Sequence, residues 1–366
     1  MRNSLRFPLF AILLLILSEL VYTQPNGIPT ISTVAGNGIS AGIPATSVGI
    51  GDGRGIAVDP IGNLFIADSV NHVVRKVDLS GHVTVAAGNG SPGWRLDIGI
   101  DECCNPGHIG DGGPAVDAKF GDLEGIAADG LFDLFINDTG NVIRKVDSNG
   151  IITTAAGTGT PGFSGDGGLA TNAQIDTNSI AGDGLGNLYI ANWIEACQAV
   201  IRKVNKAGVI DTIAGNGTCG STGDGGPAKE AQVSVQSLAA DTSGNLYFVE
   251  GLIVKPASAL GRIRKISSGG IISTIAGTGP CGYSGDGGPA INAQVCALYV
   301  AVEPNGTVYF SQLAVDGPSQ DQPVYVRKID LNGIITTIAG DGNAGYSGDG
   351  GASYKRRSSR RLLSRR

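Results

Sequence analysis

The chain has 366 residues, 59 of them glycine, and enough apolar residues for a core, which excludes a disordered chain and suits many short strands joined by tight turns. Its formal charge is −6, but a tail from Lys355 to Arg366 carries +7 and a leader with Arg2, Arg6 and Glu19 carries +1, leaving −14 on the body. A body so acidic repels phosphate backbones, so nucleic acid is excluded as the expected partner.

Residues 1–23 read as a secretory signal peptide. Arg2 and Arg6 precede an apolar run from Leu9 to Leu17, and a polar exit leads to Gln24. The run is shorter than the roughly 20 residues of a membrane span, and no later segment approaches that length. Val21-Tyr22-Thr23 matches a cleavage site only loosely, so a signal anchor stays open beside secretion.

From residue 24 to 351 the chain is repetitive. A lone strand, Thr30 to Gly36, comes first, and five units follow. Each unit opens with a strand such as Gly55-Ile-Ala-Val-Asp59, whose middle residue is alanine every time: Ala57, Ala127, Ala181, Ala239 and Ala301. A second strand of the type Asn63-Leu-Phe-Ile-Ala67 follows a tight turn. The third carries an Arg-Lys pair, at 75–76, 144–145, 202–203, 264–265 and 327–328. The fourth ends at Gly88, Gly157, Gly215, Gly277 or Gly340. Strands apolar on both faces fit blades sandwiched between neighbours, and an invariant small residue fits the crowded hub of a ring. The expected fold is an all-β propeller of four-stranded antiparallel blades.

Asn63-Leu64-Phe65-Ile66-Ala67-Asp68 followed by Asn71-His72-Val73-Val74-Arg75-Lys76 resembles the NHL repeat. The linker Gly165-Asp166-Gly167-Gly168, repeated at 223–226, 285–288 and 348–351, is similar to that of extended NHL arrays in extracellular proteins of bacteria and animals, the teneurin NHL domain among them. The resemblance implies a propeller. Its functional implications are broad, from protein or RNA binding to catalysis in the amidating lyases.

Five complete units plus a lone outer strand do not close a ring of six. Three readings are open: a six-bladed design truncated or frame-shifted at its C-terminus, a five-bladed ring with a surplus strand, or completion by another chain. The basic tail, 352–366, is expected to be disordered or a product of that truncation.

Strand order places the long variable segments, 91–109, 193–199, 251–261 and 313–323, on one face, the expected contact surface for a protein or glycan. On that face, Asp52, Asp122 and Asp176 precede the first strands of three consecutive blades. Glu124, Asn178 and Gln236 stand two positions after this site in blades two, three and four, where blade one has Arg54. Converging carboxylates and amides suit Ca²⁺ or a cationic group, against solvated loop acids as the plain alternative. No cofactor is required by any motif.

The linker acids, Asp111, Asp166, Asp224, Asp286 and Asp349, are expected to accept N–H bonds from the glycines behind them, before a short helical turn. The Arg-Lys pairs are expected to be structural, with arginines paired to acids. Six cysteines suit an oxidising compartment. Cys197–Cys219 and Cys281–Cys296 are the expected bridges; the adjacent Cys103 and Cys104 are unassigned. Asn89, Asn137, Asn216 and Asn305 head glycosylation sequons. The functional expectation is a secreted, non-catalytic binding scaffold. The alternative is a metal-dependent hydrolase or lyase, lactonase-like or amidating-lyase-like, with its site at the channel mouth.

Overall fold

The computed structural model describes residues 43–93, 109–139, 141–195, 198–251, 260–313 and 324–340. The leader, the lone strand at 30–36, Cys103, Cys104, Cys197, Asp349 and the basic tail lie outside them, as does most of each long variable segment other than 193–199.

The described residues form five antiparallel four-stranded meanders in sequential order, a five-bladed β-propeller without α-helices. Blade one comprises Gly53–Val58, Leu64–Asp68, Val73–Val77 and His82–Ala87. Blade two comprises Leu123–Ala128, Leu134–Asp138, Val142–Val146 and Ile152–Ala156. Blade three comprises Thr177–Gly182, Leu188–Glu195, Gln198–Val204 and Ile210–Ala214. Blade four comprises Val235–Ala240, Leu246–Glu250, Leu260–Ile266 and Ile272–Pro280. Blade five comprises Ala297–Val302, Val308–Leu313, Val324–Ile329 and Ile335–Ala339.

The core lies between blades rather than within one shared interior. Ala127, Phe135, Ile143 and Ala156 of blade two meet Ile175, Ile180, Ile190 and Ile210 of blade three, and the other seams repeat this pairing. Each fully buried Ile, Leu or Phe contributes about 1.5–3 kcal/mol, so the seams carry most of the stabilisation. First strands pack in succession from blade one to blade five, which is why their middle residue is alanine; no comparable packing joins the first strands of blades five and one among the described residues.

The residue two before each alanine shows the same crowding. A Cβ added to Gly55 would lie 3.1 Å from Gly125 Cα. Ser179 Oγ accepts the Leu238 N–H at 3.0 Å, and Ser237 Oγ accepts that of Val300 at 3.2 Å. Blade five has Tyr299 at this position, 39% exposed.

Each linker turns back along the outer strand of the blade it enters. Pro114 bridges Ile151, Leu169 bridges Val209, Pro227 bridges Ile271 and Pro289 bridges Ile334, and Ile43–Pro44 pairs with His82 and Val83 of blade one. The expected helical turn follows as one turn of 3₁₀ helix, for example Ala170–Asn172. Gly165 and Gly223 hold φ near +90°, and a Cβ on Gly165 would approach Ala173 within 2.9 Å, so glycine is required there by both conformation and space.

The seams can be tested at Gly182, where an added Cβ would lie 2.5 Å from the Ala128 carbonyl oxygen of the preceding blade. Gly182→Ala is expected to cost ~1–3 kcal/mol in urea unfolding. Gly208→Ala, at φ +77° with open space around it, is expected to cost only ~1 kcal/mol of backbone strain. A Gly182→Ala protein as stable as the wild type would contradict the tight seam.

Candidate functional site

The first strand of every blade begins with a β-bulge. Its register with the second strand shifts between Gly53 and Gly55, Leu123 and Gly125, Thr177 and Ser179, Val235 and Ser237, and Ala297 and Tyr299. The residues passed over are Arg54, Glu124, Asn178, Gln236 and Leu298, the varied set that the repeat alignment singles out. A bulge leaves its residue out of the ladder and redirects the side chain, which explains how a hub strand tolerates such different groups there.

In blades one, two, three and five the residue two before the bulge is pinned by its carbonyl. Asp52, Asp122, Asp176 and Cys296 accept the N–H of Ser69, Thr139, Trp193 and Leu313, each near the end of a second strand or just after it. The three aspartates therefore make equivalent backbone contacts in their blades. Arg54 Nε donates to Asp52 Oδ2 at 2.6 Å. Glu124 keeps solvent contact, yet the surrounding protein desolvates it and holds its carboxyl above the usual range; Arg54 pulls it down while Asp176 and Asp122 push it up. Tyr299 is raised by desolvation too, against the pull of Arg54 and with a smaller push from Asp52. Groups from blades one, two, three and five thus sense one another at this mouth. The side chain of Asn178 lies outside the described residues, and Gln236 is half-buried. Among the described residues no three His, Cys, Asp or Glu side chains are grouped to hold a metal ion.

Sequence reasoning missed Tyr299 as a member of this set. The signal was a bulky residue where the other first strands have glycine or serine.

The frame beneath the mouth is a set of buried guanidiniums. Arg144, Arg202, Arg264 and Arg327 are all at most 1% exposed, and each pairs with the linker acid entering its blade. Arg144 pairs with Asp111, Arg202 with Asp166 at 2.6 Å, Arg264 with Asp224 at 2.7 Å and Arg327 with Asp286 at 2.7 Å. The expectation that glycine N–H groups cap these acids is corrected. The Gly167 N–H goes to the Ile210 carbonyl and that of Gly168 to Gly165, while the second oxygen of Asp166 takes the Thr212 N–H at 3.0 Å.

A residue at or near the end of the second strand completes the clasp in blades three, four and five. Asn192, Glu250 and Gln312 accept from Arg202, Arg264 and Arg327 at 3.3, 2.8 and 3.1 Å. In blade two Asp138 stays 3.9 Å from Arg144, and desolvation pushes its pKa up to about 7 despite the Gly121 N–H and the Arg144 charge.

The opposite face is different. Asp59, Asp129, Asp183 and Asp241 each accept two backbone N–H groups of their own hairpin, as Asp78, Asp147, Asn205 and Asp330 do in the outer hairpins. Its polar groups are consumed in turns. Cys281 and Cys296 form the expected bridge within one linker, and Cys219 is also disulfide-bonded. Of the sequon residues, Asn89, Asn216 and Asn305 lie in exposed turns, whereas Asn137 is 1% exposed and donates to the Thr177 carbonyl.

Five repeated blades with linker clasps and bulged inner strands define a five-bladed β-propeller whose repeats are similar to the NHL repeat. In sequence the chain is similar to part of teneurin-1, with 29% identity to the Gallus gallus protein over 293 residues, 70% of this chain, and 28% identity to the Homo sapiens protein over 294 residues. Teneurin-m of Drosophila melanogaster is 34% identical over 106 residues, 28% of this chain. The chain spans about a tenth of the length of the teneurin-1 proteins it matches. No family model matches it. Similar solved structures include an auxiliary nutrient binding protein from Bacteroides thetaiotaomicron (TM-score 0.46, 13% identity, 86% of this chain and 66% of that one). A gluconolactonase from Xanthomonas campestris has a TM-score of 0.43 at 13% identity, with 83% and 86% of the two chains covered.

The clasps make two predictions. Asp166→Ala leaves Arg202 with neutral acceptors only, Asn192 and the Ser164 and Gln174 carbonyls, and is expected to cost about 3 kcal/mol; Asp224→Ala leaves the charged Glu250 on Arg264 and is expected to cost clearly less. Equal losses in denaturant titrations would show that the second-strand acceptor does not share the charge. Asp138, with a folded pKa above its unfolded value, contributes stability that is full below about pH 4 and is lost as pH rises toward 7. Asp138→Asn should therefore flatten the decline in stability between pH 4 and 7, read from melting temperatures across that range.

Proposed function

We propose that this chain is a secreted, extracellular and non-catalytic scaffold that binds a protein or glycan through its loop-bearing face. The observation that carries this reading is the asymmetry between the faces. One face spends its acids inside stereotyped turns, while the other holds bulged, non-repeating side chains and the attachment points of the long segments. A contact surface needs varied groups on a rigid support, and the linker clasps supply that support. Asp52, Asp122, Asp176, Glu124, Asn178 and Gln236 form the polar centre of this surface.

Disulfide bonding at Cys281–Cys296 and the likeness to teneurins support the extracellular setting. No helix among the described residues is long and apolar enough to cross a membrane. Glycans, where the cell adds them, are proposed for Asn89, Asn216 and Asn305.

The test compares charge reversals on the two faces. Labelled protein is titrated onto intact cells and onto immobilised glycans. Asp122→Lys with Asp176→Lys is expected to weaken binding about tenfold or more, while Asn149→Lys with Ala207→Lys on the opposite face leaves it unchanged. Binding lost only with the second pair would overturn the assignment. Hydrolysis or elimination by purified protein that depends on added Ca²⁺ or Zn²⁺ would favour an enzyme instead.

A further inference from the structure

The five blades are internal controls for one another, and blade one departs from the other four at its clasp. In blades two to five the linker acid lies four residues before the alanine that opens the 3₁₀ turn: Asp111 before Ala115, Asp166 before Ala170, Asp224 before Ala228 and Asp286 before Ala290. In blade one the same count from Ala45 arrives at Ala41. The fourth-strand residue opposite the arginine changes with it. Thr154, Thr212 and Thr274 donate to the linker carboxylates, from the N–H, the hydroxyl or both, and the paired position in blade one is Val85.

Arg75 remains. It is 4% exposed, and its Nε donates to Asp68 Oδ2 at 2.7 Å. Among the described residues its Nη1 and Nη2 have no hydrogen-bond or ion-pair partner, and they are not sealed from solvent. Arg75 lines a pocket of about 430 Å³ between the end of blade one and the next linker. The walls are Val70, Val73, Val85 and Val116, with Asn71 and Asn89 as polar neighbours. The pocket opens beside Asn71 and Gly88, in the connections of the loop-bearing face.

We infer that this pocket binds a carboxylate, with Arg75 gripping it as the other arginines grip their linker aspartates. The occupant is an acidic side chain of a protein partner, so the inference deepens the scaffold reading and rests on it. The chemistry is read from the neighbouring blades, where Nη2 of the arginine, one of the two groups left open on Arg75, meets a linker carboxylate every time. Planar guanidinium and carboxylate match through two parallel hydrogen bonds, which an amide or alcohol cannot reproduce. Blades two and four show that one arginine here accommodates two acids, Asp111 with Asp138 and Asp224 with Glu250. Four valines suit the methylenes of an acidic side chain better than the hydroxyls of an acidic sugar.

The probe is butyrate, which carries the glutamate side-chain carboxylate on a short hydrocarbon. Titration of the intact protein, followed by NMR of the arginine side-chain N–H groups, is expected to show saturable binding. Butyramide and inorganic phosphate should bind at least about tenfold more weakly. Ala41→Asp should restore the clasp of the other blades, raising the melting temperature and abolishing butyrate binding. Val85→Thr should leave the fold intact and strengthen butyrate binding several-fold, because it adds the hydroxyl donor that Thr154 and Thr274 supply to their carboxylates. No saturable butyrate binding, or binding that survives in Ala41→Asp, would overturn the inference. So would tighter binding of free sialic acid than of butyrate. Loss of this result with the face-reversal experiment intact removes only the pocket; the converse removes the scaffold reading and leaves a carboxylate site.

Discussion

A guanidinium inside a β-sheet must be matched on every edge, because an unpaired buried charge costs several kcal/mol. That demand organises this molecule. The third strand of each blade carries the arginine, and its partners come from two different places: the linker entering the blade and the end of the neighbouring strand. Satisfying the charge therefore fastens the linker to the outer strand and fixes where the next first strand begins. Charge balance tolerates exchange between the two sources. Blades three and five use a linker aspartate with a neutral amide, blade one uses Asp68 alone among the described residues, and blades two and four place two acids on one arginine. The cost of the last arrangement is visible: Asp138 is pushed up to about 7, and burial raises Glu250, which Ser221 stabilises by donating to its free oxygen.

The same frame separates the faces. Hairpins on one side close with Asp or Asn accepting its own turn's N–H groups, so little polar capacity is left for an outside partner. On the other side each first strand enters through a bulge, and the redirected residue is free to vary because no ladder bond depends on it. Variation at Arg54, Glu124, Asn178, Gln236 and Leu298 has a structural licence there that it lacks one residue further on, at the crowded Gly55 or Ser179.

Most of the fold was legible in the sequence because repetition turns weak local signals into a strong one. The recurring alanine, the Arg-Lys pair and the GDGG linker each point to one constraint, and strand order then follows. The candidate site was legible only in part. The bulges could not be read, since an extra residue in a short strand looks the same as a strand that starts later; Arg54 and Tyr299 were consequently undervalued. The partners of the linker acids were misread for a related reason. Glycine N–H groups are close in sequence, whereas the threonine and arginine that bind Asp166 lie 46 and 36 residues away.

The mouth of the channel is not symmetric, and this follows from which repeats depart from the pattern. Acids come from blades two and three, as Asp122, Glu124 and Asp176; Asp52 of blade one is already engaged by Arg54. Blade five contributes Leu298, Tyr299 and the disulfide-bonded Cys296 instead. A ligand entering here would meet negative charge on one side and a phenol, a guanidinium and apolar surface on the other. Such a gradient orients a partner even where the net attraction is small, because reversing the ligand would set its charge against the wrong wall. Near-identical repeats would give a ring without direction. The few residues that break the repeat give it one, and they do so at positions where the frame leaves the side chain free.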